Sequence, residues 1–124
     1  MKSLLLPLTL VAATTIAAPA FADCTAPTIN VTVPEGAKAT KEDLVATQRT
    51  LKELNVAVAD FTTCLQNERD AKIAAGGDSL SDAARQKISA EYNTRGNAAI
   101  DKLQKIADKF NLEVRAYKAK QPAT

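Results

Sequence analysis

The chain has 124 residues, 46% of them hydrophobic, with 16 basic against 14 acidic side chains, two Cys, and no His or Trp. That length holds one domain. The absence of His removes the usual metal ligand and general base, and the near-balance of charge speaks against a dedicated nucleic-acid binder. In chain order, Met1, Lys2 and Ser3 precede an apolar run from Leu4 to Ala18, and Ala20-Phe21-Ala22 forms a small-x-small cleavage site. Residues 1–22 therefore read as a secretory signal peptide, which sends the mature chain to the periplasm or out of the cell. Cleavage after Ala22 removes Lys2 and leaves 15 basic against 14 acidic residues, net +1. No later apolar run is long enough to span a membrane.

From Asp23 onward the chain has 18 Ala but only 22 large apolar residues. That supports a thin core, and such chains need a staple or a partner. Cys24 and Cys64 both outlast cleavage and meet an oxidising compartment. A bridge between them closes a loop of about 40 residues, worth roughly 4 kcal/mol if the gain is chain entropy. Acylation of Cys24, as in a lipoprotein, is the competing reading; Asp23 suits the small residue needed before such a cysteine poorly. Intermolecular pairing stands third.

Residues 23–39 carry Pro27, Pro34 and Gly36 with β-branched Thr28, Ile29, Val31, Thr32 and Val33 between them, which reads as an extended arm. Residues 40–124 read as a helical hairpin domain. Thr40-Lys41-Glu42-Asp43 has the capping-box form, with two acids at the positive end of the helix dipole. Leu44, Leu51, Val58 and Leu65 recur every seven residues, with Thr47, Leu54 and Phe61 three after the first three of them. This heptad seam fades at Glu68 and Lys72. Gly76-Gly77 ends the helix and Asp78-Ser79 continues the turn.

The second helix begins at Ser81, with Ser79 as the alternative cap. Its seam runs Tyr92, Gly96, Ala99, Leu103, Ile106, Phe110 and Tyr117. Glu68–Lys72, Glu91–Arg95 and Asp101–Lys105 are acid-to-base pairs in the favourable order. A short turn between two long amphipathic helices predicts an all-α fold, an antiparallel two-helix hairpin of coiled-coil type. Folding about the glycines matches Leu44 with Phe110, Leu54 with Leu103, and Phe61 with Gly96, whose missing Cβ would make room for the ring. Cys64 lies about 36 Å up the first helix from Thr40, and the arm can stretch about 53 Å. It therefore reaches back along that helix to a disulfide staple, where Ile29, Val31 and Val33 are expected to cover Val56, Ala57 and Ala59.

A Cys-x-x-Pro start, Pro34-Glu35-Gly36, Ala39-Thr40, Cys64-Leu65 and Glu68, then Tyr92-Asn93, Asn97-Ala98-Ala99, Phe110-Asn111 and Val114-Arg115-Ala116-Tyr117 span nearly the whole mature chain. Together they resemble an uncharacterised family of small exported proteobacterial helical proteins with a cysteine pair. The resemblance implies export, helices and paired cysteines; it supplies no activity and no catalytic residue.

Chemistry is sparse. Without His, nucleophilic catalysis falls to a Ser–Lys pair, yet Ser79 and Ser81 are explained as caps. Paired carboxylates need a cleft to set their separation, and Glu53 and Asp60 read as solvated surface. No catalysis, metal or cofactor is expected. Two stripes remain. Arg95, Lys102 and Lys109 repeat every seven residues with Lys105 beside them, a candidate rail for an anionic partner or an ordinary coiled-coil flank in which Lys109 pairs with Asp43. Gln48, Asn55 and Thr62 follow one register, and Asn97, Gln104 and Asn111 another, with Asn93 nearby. Amides bordering a seam can bond across helices and fix register; they also suit a wet interface or a glycan surface.

The expected function is an exported, non-enzymatic binding or scaffolding protein of the cell envelope, chaperone-like in one version, acting through helix faces on a protein or an anionic envelope component. Val45, Val56 and Leu112 point off the seam, so a homodimer is expected as well. The alternative is a small inhibitor or immunity protein of an exported hydrolase, acting through the tip Gly76-Gly77-Asp78-Ser79 or the basic flank.

Overall fold

The computed structural model describes residues 23–122; the signal-peptide reading of residues 1–22 lies outside them. Two helices pack against each other, α1 over Lys41–Gly76 and α2 over Asp82–Ala119, joined by a 3₁₀ turn at Gly77–Ser79. No helix among the described residues is long and apolar enough to cross a membrane. The ends follow local chemistry. Asp43 N–H donates to the Thr40 hydroxyl at 3.1 Å and Thr40 N–H donates to the Asp43 carboxylate at 2.9 Å, the reciprocal capping box. That backbone bond holds the Asp43 carboxyl below its ordinary range. Gly77 ends α1 at φ 54°, a conformation that costs an L side chain about 1 kcal/mol or more. Arg85 then clamps the turn, donating to the carbonyls of Gly77 at 2.6 Å and Leu80 at 3.2 Å. Ser81 caps α2 by accepting from Ala84 N–H.

The core forms two clusters along the hairpin. One joins Cys24 and Ile29 of the arm to Val58, Phe61 and Leu65 of α1 and to Tyr92, Ala99 and Leu103 of α2. The other joins Val33 and Ala39 to Leu44 and Phe110. The arm thus contributes to both, a third layer lying on the seam. Cys24 and Cys64 are bridged, with Cα atoms 5.8 Å apart, so Cys24 is neither acylated nor paired between chains in this structure.

Three expectations are corrected. The arm does not cover Val56, which is 59% exposed; Ile29 and Val33 are only 5% and 8% exposed, because the groove between two helices buries a side chain on two sides and a single helix face on one. Gly96 does not face Phe61. A Cβ there would meet Thr62 and Leu65 at 3.6 and 3.7 Å, ordinary contact distances, so no ring needs the space. Finally, the four-apart acid–base pairs do not close. Among the described residues the ion pairs are Glu35–Lys38 and Arg69–Asp70, while Glu68 and Arg95 turn inward instead.

Candidate binding face

Where the apolar seam of α1 ends, a polar cluster takes over. Tyr92, 5% exposed, donates its hydroxyl to Glu68 at 3.0 Å. Glu68 also accepts from Cys24 N–H at 3.5 Å, and Arg95 donates to the Cys24 carbonyl at 3.1 Å. The Arg95 guanidinium lies 5.4 Å from the Tyr92 ring centre, within cation–π range. Burial, with the Glu68 bond second, pushes the Tyr92 phenol above its ordinary value. The cluster pins the start of the arm beside the disulfide. Its members are scattered along the chain, and periodicity carries no signal for such a cluster; the only hint was Glu68 at a position where the heptad asks for an apolar residue.

The other end of the arm is held as closely. Lys38 and Ala39 N–H groups both donate to the Glu35 carbonyl. Gly36 N–H donates to Glu113 Oε2 at 2.7 Å, and a Cβ on Gly36 would overlap the Glu113 carbonyl and lie 2.9 Å from Tyr117 N. Only glycine lets the turn sit on α2. Lys120 reaches the carbonyls of Ala37 and Ala39 at 3.2 and 2.8 Å.

Arg95 is therefore separated from the rail in which its spacing placed it. It is half-buried and binds the arm, whereas Lys102, Lys105 and Lys109 are exposed. Among the described residues none of these lysines forms an ion pair, and Asp43 binds its own cap rather than Lys109.

Of the amide stripes, Thr62 of the first and Asn97 of the second, with Asn93, are brought together on the flank away from the arm. Thr62 stands two residues from Cys64, and Asn93 two from Arg95, about 200° around each helix. There the helices leave a groove of about 180 Å³ lined by Thr62, Leu65, Gln66, Arg69, Tyr92, Asn93, Gly96, Asn97 and Ile100. Gln48, Asn55, Gln66, Asn93, Asn97, Gln104 and Asn111 are all exposed. Among the described residues none of their side-chain amides has a hydrogen-bond partner in the protein. Cross-helix bonding that fixes register is thus not their role here. The large exposed apolar residues, Val45 and Val56 on α1 and Ile100 and Leu112 on α2, stand about 16–18 Å apart along each helix. Comparison with known protein families, with curated proteins and with solved structures found no match.

Proposed function

We propose that the protein is an exported, non-enzymatic binding or scaffolding protein of the cell envelope, one of a family of small exported helical proteins with a cysteine pair, which holds its partner on the arm-free face of the hairpin. One observation carries this reading: the arm closes one flank of the seam, and the opposite flank stays open and lined by amides without internal partners. Such groups are hydrated donors and acceptors ready to exchange water for a partner. The disulfide is compatible with an oxidising compartment. The wide spacing of exposed apolar residues favours a specific binder over a chaperone, which needs continuous apolar surface. The lysines of α2 supply attraction to an anionic envelope component, and a second copy of the chain is a further partner, for Val45, Val56 and Leu112. Light scattering at high micromolar concentration checks the dimer, and a strict monomer rejects it.

In vivo photo-crosslinking tests the proposal. A crosslinker at Gln48 or Gln104 on the amide face is expected to capture an envelope partner, and one at Asp101 or Lys105 to capture less. Capture from the lysine flank alone moves the binding face there. A second reading, an inhibitor that plugs a hydrolase with its tip, draws support from the Arg85 clamp, which bonds the carbonyls of Gly77 and Leu80 at the turn. Crosslinks from Asp78 to one enzyme would select it.

A further inference from the structure

We propose that the groove over Gly96 is a subsite for one ring of an uncharged envelope glycan. The inference rests on the arm-free face being the binding face, and it names the ligand of that face. It starts from a glycine that the fold does not require. Gly96 is buried in the middle of α2 with ordinary helical backbone; the one positive φ among the described residues is at Gly77. A Cβ at Gly96 would lie 3.6 Å from Thr62 and 3.7 Å from Leu65, so close helix crossing does not demand its absence. Glycine in a helix interior is destabilising relative to alanine. What the missing Cβ does produce is depth, since Gly96 lines the groove between the helices.

The groove's chemistry selects the ligand. Gln66, Asn93 and Asn97 each present an amide that both donates and accepts, unbonded within the described protein. The one charged lining residue, Arg69, is paired with Asp70 at 2.8–2.9 Å, so its charge is balanced beside the groove. Its lining mixes amides with Leu65 and Ile100 and lacks the apolar depth that an anchor side chain of a helical peptide needs. Amides that both donate and accept, beside the apolar side chains of Leu65 and Ile100, suit a sugar ring, with its hydroxyl groups toward the amides and its C–H face toward Ile100. A volume of about 180 Å³ is below that of drug-sized sites and fits one ring at a time. Asn97, Gln104 and Asn111 continue along α2 at steps of about 10 Å, so a chain of rings can follow the helix.

The test is an NMR titration of the oxidised mature protein with a neutral N-acetylglucosamine oligomer. The side-chain amide signals of Gln66, Asn93 and Asn97 are expected to shift and saturate at millimolar sugar. Gly96→Ala should raise the thermal midpoint while weakening binding at least tenfold, and Asn97→Ala should weaken it with the midpoint unchanged. No shift at saturating sugar, or equal binding by Gly96→Ala, overturns the proposal. A neutral extended peptide that shifts the same amides when the sugar does not would assign the groove to polypeptide, and overturns it too. If the sugar fails while crosslinkers on the amide face still capture a partner, the glycan is wrong and the face stands; if both fail, the face is wrong as well.

Discussion

Tyr92 shows how one residue joins core, arm and charge. Its ring is buried in the core cluster with Cys24 and Leu65, and its hydroxyl reaches Glu68. The fold favours the neutral phenol, so the folded state ionises at higher pH than the unfolded chain. Below about pH 10 both states keep the proton and the contribution is constant. Above it the unfolded chain deprotonates first, so stability falls as pH rises. Urea midpoints measured between pH 9 and 11 should fall for the native protein, and the Tyr92 share of that fall should vanish in Tyr92→Phe. At neutral pH the same variant loses a bond to a carboxylate and should be about 1–2 kcal/mol less stable. Tyr92 was legible as a seam position; its hydroxyl's partner was not, because Glu68 reads equally well as a surface acid facing Lys72.

At the scale of the element, caps and turns were the most legible part. Thr40, Gly77 and Ser81 act through neighbours within four residues, so the sequence around each contains the whole interaction. Thr40→Ala should cost about 1 kcal/mol, read from the shift in denaturation midpoint. Gly36→Ala tests a contact that local sequence does not contain. Its Cβ would strike the backbone of Glu113 and Tyr117, and backbone in mid-helix does not yield. The turn at residues 36–38 should lift from α2, and amide exchange at Ala39 and around Glu113 should rise while the disulfide end stays protected. The arm's existence was written in its prolines and β-branched residues. Its course back along α1 to the disulfide was read correctly; the surface it covers was misread at Val56, which stays exposed while the seam buries Ile29 and Val33 on two sides.

Across the whole molecule, the arm and disulfide complete a core that two helices alone leave thin. Reducing Cys24–Cys64, or Cys64→Ser, should lower stability by roughly 4 kcal/mol on the chain-entropy account and release Ile29 from the seam. Urea titration with and without reductant measures this. The charge pattern makes a separate prediction. Lys102, Lys105 and Lys109 are exposed and without ion pairs among the described residues, so replacing all three with Gln should leave helix content and midpoint nearly unchanged. If they attract an anionic component, capture by the triple variant should fall, and capture by the native protein should weaken with salt because exposed charges are screened over about 8–10 Å. Arg95 should not be added to that variant, since it holds the arm and its loss would confuse unfolding with lost binding.

The sequence by itself determined the two helices, the turn between them, the order of core residues along each seam and the cysteine pair. All but the cysteine pair depend on a period or on neighbours a few residues apart, which a linear pattern records; the two cysteines are 40 residues apart and were matched because the chain has just two. Only the tertiary structure decided on which side of the hairpin the arm lies, and that choice set the rest. By occupying one flank it drew Arg95 and Glu68 inward, left the lysines in solvent and kept the amide groove over Gly96 open. Burial by three elements at once is a property of their packing, and no spacing within one of them records it.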